Sequence, residues 1–172
     1  GDTIDTSLGK VRLLGINTPE RGEQGYAEAK EFLAQEVLNE TVTLEFGRDR
    51  YDKYNRILAY VFLDAENINA KMVENGFANY YFYDGMDKYS DELLEAWNIC
   101  IDSNKNLCEK SNYQCAECIS LDENSVINNC AFDCNITNWQ VRGEGREKFI
   151  FSKQTLRPGA ESNFALNLDN SG

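Results

Sequence analysis

The chain of 172 residues contains no histidine. Imidazole is the usual general base near neutral pH and the commonest metal ligand, so serine–histidine–aspartate, cysteine–histidine and histidine–metal hydrolases are excluded. Acid–base work is left to carboxylate, lysine, tyrosine, cysteine or metal-bound water. Positive charge is also scarce: the net charge is −12, and Lys+Arg minus Asp+Glu is −3 over residues 1–60, −6 over 61–110 and −3 over 111–172. No segment is basic, so a polyanionic ligand must be drawn by a few local cations or a bound metal rather than by a bulk field. No run approaches the roughly eighteen apolar residues of a membrane helix. No charged region followed by an apolar one opens the chain, so the expectation is that any export signal was removed or never existed.

What is present suits one medium domain or two small ones with a real core. Lys10 to Ile16 reads as a strand with Val11 and Leu13 on one face and Arg12, Leu14 and Ile16 on the other. The residues before it, Gly1-Asp2-Thr3-Ile4, read as the end of a strand whose partner precedes Gly1. Arg12 shares a face with aliphatic residues, which suits an edge arginine with a packed stem and wet head as well as it suits a functional group. Thr18-Pro19 imposes an extended turn. From Gly25 to Leu38, Ala29, Phe32, Leu33 and Val37 fall at helical spacing. Thr41 to Phe46 alternates, with Val42, Leu44 and Phe46 facing inward. A polar turn over Gly47 to Asn55 leads to the apolar run Ile57–Leu63, the pattern of a strand covered on both faces, with Arg56 at its mouth.

Asn67 or Asn69 caps a short helix reaching Glu74, with Gly76 as its left-handed stop. Phe77 to Tyr83 reads as a strand, and Ser90-Asp91-Glu92 starts a helix that runs to about Asn104 through Leu93, Leu94, Trp97 and Ile101. The acidic runs around Asp84–Asp87 and Asp91-Glu92-Glu95 read as solvated surface. The order is α+β, and a small barrel is the expected architecture.

Asp2-Thr3, Val11-Arg-Leu-Leu-Gly-Ile-Asn-Thr-Pro-Glu20, Asp52-Lys-Tyr-Asn-Arg-Ile-Leu-Ala-Tyr60 and Gly76-Phe-Ala-Asn-Tyr80, in that order and spacing, resemble the staphylococcal nuclease (thermonuclease) family over about residues 1–108. The resemblance implies a five-stranded OB-fold β-barrel with three helices, and hydrolysis of phosphodiester bonds in DNA and RNA with low sequence specificity. It implies that Arg12 and Arg56 bind the scissile phosphate, that Glu20 activates water, and that Asp2, Asn17 and the Thr18 carbonyl hold Ca2+ or another divalent ion. It further implies that Tyr54, Tyr81 and Tyr83 contact the nucleotide; barrel-surface packing accounts for these tyrosines equally well. Phosphoryl transfer needs an in-line water and neutralised equatorial oxygens, and two guanidinium forks with a carboxylate base supply both without histidine. Asn17 departs from the aspartate of the family's best-known member, which removes a negative charge from the metal set. The loop between Glu20 and the first helix is short beside that of longer relatives. The alternative function is a non-catalytic nucleic-acid- or protein-binding OB module.

Helical periodicity stops after Leu107, and a domain boundary is expected within residues 108–118, giving domains of 1–108 and 109–172. Ser125–Ile127, Trp139–Arg142 and Lys148–Phe151 read as strands, with turns at Gly143–Gly145 and Arg157–Gly159. Cys130, Cys134-Asn-Ile-Thr-Asn-Trp139, Phe149-Ile-Phe151 and Leu156-Arg-Pro-Gly159 resemble the start of a lamin-tail domain, which implies a partial immunoglobulin-like sandwich with Trp139 in its core and a role in cell-surface or protein attachment. All six cysteines lie between 100 and 134. Three disulfides tying the last helix and linker to the tail are favoured over a four-thiolate zinc site of Cys100, Cys108, Cys115 and Cys118, because only one pair has knuckle spacing. With the sequons Asn39-Glu-Thr41 and Asn135-Ile-Thr137, this points to a secreted or cell-surface protein. A monomer is expected.

Overall fold

The computed structural model describes residues 1–145 and 147–166. Two units divide the chain, Gly1–Glu109 and Lys110–Gly172. The first contains β1 (Thr3–Thr6), β2 (Gly9–Leu13), β3 (Ile16–Asn17), α1 (Tyr26–Val37), β4 (Thr43–Tyr51), β5 (Ile57–Leu63), β6 (Glu66–Asn67), α2 (Ile68–Glu74), β7 (Asn79–Tyr80) and α3 (Ser90–Ser103). Its main sheet runs β1-β2-β5-β4, with β6 also on β5. β2 and β5 are parallel, and the other pairs are antiparallel.

This corrects the barrel expectation: among the described residues the sheet is an open path. The reason is local. Gly15 takes φ +69°, a left-handed conformation that glycine reaches without steric cost, and it breaks the run expected to continue from Lys10 to Ile16. Ile16–Asn17 therefore leaves the main sheet and pairs with Asn79–Tyr80 in a separate two-stranded ladder. A side chain could not replace the glycine, since a Cβ there would lie 2.5 Å from Leu93 Cδ1 and 2.6 Å from the Tyr60 hydroxyl. The break also turns Ile16 inward to join Val11 and Leu13 in the core, and Phe77–Tyr83 supplies only the two paired residues of β7. Thr3–Thr6 is itself β1, pairing with β2.

β5 is the central strand, with Ile57, Ala59, Tyr60 and Val61 buried. Asn67 caps α2, its Oδ1 accepting from the N–H groups of Asn69 (3.1 Å) and Ala70 (3.3 Å), and Gly76 follows with φ +70°. Asn69 is fully buried and ties three elements together: Oδ1 accepts the Val61 N–H at 3.0 Å, and Nδ2 donates to the Leu14 carbonyl at 2.8 Å. The expected polar turn at Gly47–Asn55 is largely strand. β4 continues to Tyr51 by an irregularity, and Phe46, placed inward by alternation, is 40% exposed.

The second unit contains β8 (Ile119–Leu121), β9 (Ser125–Asn128), β10 (Cys134–Asn135), β11 (Gln140–Arg142), β12 (Lys148–Ile150), β13 (Thr155–Leu156) and β14 (Glu161–Asn163). They form three small antiparallel ladders, β14-β9-β8, β10-β13 and β11-β12. Val126, Ile136, Phe151, Leu156 and Phe164 make its core, with Trp139 packed against it. So small a core gains from covalent staples, and Cys115–Cys134 and Cys118–Cys130 supply them. The third disulfide, Cys100–Cys108, joins α3 to the short 3-10 turn Asn106–Cys108 within the first unit. The expectation that disulfides tie the last helix to the tail is thereby corrected, and no cysteine is left as a zinc thiolate.

Candidate functional site: two linked guanidiniums beside oxygen donors

Arg12 lies on β2 opposite Thr3 of β1 and in register with Leu58 of β5, so the sheet itself brings the start of β1 and the start of β5 to either side of it. Its Nη2 lies 3.3 Å from the Asp2 carboxylate and donates to the Ile16 carbonyl at 2.8 Å, while Nη1 donates to the Leu13 carbonyl. Arg56, just before β5, is held by Asp52: Nε donates to Oδ2 at 2.6 Å and Nη2 lies 2.6 Å from the same oxygen. Burial pushes the Asp52 carboxyl up, but the N–H of Arg56, its guanidinium and the N–H of Tyr54 outweigh burial and hold it below the ordinary carboxylate value.

The two arginines belong to one network. Arg56 Nη1 donates to Thr3 Oγ1 at 3.3 Å, Thr3 Oγ1 donates to Asp2 Oδ1 at 3.0 Å, and Asp2 meets Arg12. The side chains of Arg12, Asp2, Asp52 and Arg56 are between 15% and 23% exposed, so the ion pairs are partly sheltered from water. Pairs of this kind fix geometry more than they stabilise the fold.

Asn17 and Thr18 are buried beside the strand break. A Cβ on Gly1 would lie 2.7 Å from Thr18 Oγ1, so the residue next to Asp2 packs directly on Thr18. Glu20 is exposed, at the head of a turn in which its N–H donates to Glu23 Oε2 at 2.9 Å. The nominated metal donors are one carboxylate, one amide oxygen and one backbone carbonyl. This oxygen-only set suits a hard divalent cation in kind, with a single negative charge to hold it. Among the described residues no three acidic side chains converge on one point; the one candidate group, Cys115, Cys130 and Cys134, is occupied in disulfides.

Tyr54 lies under Arg56, whose guanidinium carbon is 5.5 Å from the ring centroid, and is 65% exposed. Tyr81 and Tyr83 pair with each other at 6.0 Å, and the Tyr81 N–H donates to the Gly15 carbonyl at 2.7 Å, so this segment abuts the strand break. Residue-by-residue reading of the sequence missed Thr3 and Asp52 as partners of the arginines. The four-residue spacing of Asp52 and Arg56 was a usable signal; nothing in the sequence ties Thr3 to residue 56.

An OB-like α+β domain with two guanidiniums, one on β2 and one just before β5, bridged by a carboxylate and a hydroxyl is built to handle an anion. A family model described as staphylococcal nuclease homologue matches residues 10–109, more than half of the chain, and the chain belongs to that family. Thermonuclease from Staphylococcus intermedius is 40% identical over 99 residues, covering 52% of this chain and 59% of that protein. Thermonuclease from Staphylococcus hyicus is 35% identical over 106 residues, 56% of this chain and 63% of that protein. A prophage-derived endonuclease of Bacillus subtilis (strain 168) is 36% identical over 105 residues, 54% of this chain and 36% of that protein. The chain thus spans less than two thirds of the length of each.

Proposed function

We propose that the Gly1–Glu109 unit is a calcium-dependent nuclease that hydrolyses phosphodiester bonds of DNA and RNA with low sequence specificity. The observation that carries this reading is the continuous Arg12–Asp2–Thr3–Arg56 network, which holds two permanently charged forks beside one another without histidine. Arg12 and Arg56 bind the nonbridging oxygens of the scissile phosphate and stabilise the charge that gathers there at the transition state. Glu20 accepts the proton of the attacking water. Asp2, Asn17 and the Thr18 carbonyl would hold Ca2+, which supplies positive charge beside the phosphate. Asp52 and Thr3 act through Arg56, fixing the orientation of its fork. Tyr54, Tyr81 and Tyr83 offer stacking faces to bases, which every base can use.

The second unit is read as a lamin-tail-like module that attaches the enzyme at a cell surface or to another protein. Its two disulfides, with the third in the first unit, support an oxidising, extracytoplasmic setting. A fluorogenic single-stranded DNA assay with calcium, with EGTA and with Arg56→Ala tests the nuclease reading. Cleavage in calcium alone is expected, and unchanged cleavage in all three conditions would sink it.

A further inference from the structure

β4 carries an exposed patch that the proposed chemistry does not use. Between the pairs Phe46↔Ala59 and Tyr51↔Ile57, β4 spends Gly47, Arg48, Asp49 and Arg50 where β5 spends only Leu58. Such a bulge re-aims side chains away from the ladder. Its base is pinned, because a Cβ on Gly47 would lie 2.5 Å from Leu14 Cδ1. At its tip, the Arg50 guanidinium carbon lies 4.3 Å from the Phe46 ring centroid and 6.0 Å from that of Tyr51. Phe46 is 40% exposed and Tyr51 is 51% exposed.

Phe46 sits at an inward position of the alternating pattern, yet cation and ring face solvent together. β4 is also the edge of the sheet among the described residues. Charge separates this patch from the rest of the chain. Residues 46–56 carry Arg48, Arg50, Lys53 and Arg56 against Asp49 and Asp52, in a protein of net charge −12. Asp52 is taken up by Arg56, and among the described residues neither Arg48 nor Arg50 forms an ion pair. Lys53 lies 5.2 Å over the Tyr54 ring, so rings and cations alternate from the bulge to Arg56.

We propose that the β4 bulge is a second binding segment for single-stranded nucleic acid, resting on the nuclease reading. It takes nucleotides that continue past Tyr54 from the scissile phosphate. Arg50 and Tyr51 stack on bases, and Arg48 and Arg50 meet the phosphates. Unpaired bases with an exposed face and a backbone of one negative charge per nucleotide match alternating rings and cations, whereas a duplex hides its bases. A few local cations suffice where no bulk field exists.

The test is fluorescence anisotropy of the full chain with labelled oligothymidylates of 3 and 12 nucleotides in EDTA, where turnover does not interfere. Arg50→Ala is expected to weaken 12-mer binding about tenfold, within the range of one lost stacking contact, and to leave 3-mer binding within about twofold of wild type. The slope of log affinity against log salt on the 12-mer should fall by about 0.7 for the one cation removed. Arg50→Lys should restore that slope and part of the affinity. Since Arg50 is exposed and stacks on the exposed rings of Phe46 and Tyr51, an unchanged thermal midpoint is the folding control. A 12-mer affinity within about twofold of wild type, or an equal loss on both lengths, would overturn the proposal. Binding is read without cleavage, so a chain that shows the length-dependent loss yet cuts nothing supports the second segment while the nuclease reading falls.

Discussion

Asn69→Ala is expected to loosen the corner on which the proposed site stands. The Asn69 side chain is the partner of two main-chain groups, the Val61 N–H of β5 and the Leu14 carbonyl at the end of β2. Alanine leaves both without a partner in a buried environment. Each orphaned group costs about 1–3 kcal/mol, so the loss is about 2–6 kcal/mol in total, against about 1 kcal/mol for removing the neighbouring cap with Asn67→Ala. A domain of about 100 residues shifts by about 4–8 °C per kcal/mol, which puts the fall in Tm at about 10 °C or more. Leu14 precedes the Gly15 break that delivers Asn17 and Thr18, so nuclease activity should fall at temperatures where the fold still persists. Asn69→Asp separates the two bonds. It keeps the acceptor for Val61 but loses the donor to Leu14 and buries a charge, so its stability should improve as pH falls and the carboxyl becomes neutral. The assays are circular-dichroism melting and single-stranded DNA cleavage. A Tm within about 3 °C of wild type for Asn69→Ala would refute the reasoning, because it would mean that both orphaned groups find partners at no cost.

Arg56→Lys keeps one charge but loses the fork that meets Asp52 and Thr3; kcat should drop about 100- to 1000-fold with a small change in Tm, and a kcat within about threefold would remove Arg56 from the chemistry. Asp52 has a depressed folded pKa, so its stabilisation is present above its ordinary value of 3.8 and is lost as pH falls through the lower folded value; Asp52→Asn should therefore destabilise the protein at pH 6 and flatten the acid side of its Tm–pH curve, and an unaltered acid side would contradict this. Reduction of the disulfides should affect the second unit first. Closing loops of these lengths is worth about 3 kcal/mol each, comparable with what its small core supplies; cleavage within residues 110–166 by a dilute protease on adding dithiothreitol is expected, and resistance there would show that the core suffices alone.

Much of the fold was legible along the chain because the relevant signals are local. The 3.6-residue stripe of Ala29, Leu33 and Val37 marks α1, and Leu93 and Trp97 mark α3, although Ile101 of the expected stripe is 41% exposed and Ala96 and Cys100 complete the buried face. The apolar run Ile57–Leu63 is β5, and Asn67 with Gly76 brackets α2. Cysteine count and spacing favoured disulfides, yet left fifteen pairings open; contact between distant chain segments alone selects among them. Arg12, Glu20 and Arg56 were visible as charges in apolar company. Their partners were not, since Thr3 and Arg56 are 53 residues apart and no periodicity connects them.

Sequence by itself determined the helices, the central strand, the histidine-free set of donors and the absence of a bulk positive field. Tertiary structure decided that the sheet is an open path among the described residues, that Phe46 lies outside the core, and that Asp2 and Thr3 join the two arginines. The division has a physical cause. Helix stripes, caps and turn glycines act over a few residues. Register, bulges and ion-pair networks are settled when strands from far along the chain compete for the same edge, and at Gly15 one steric requirement redirects everything after it.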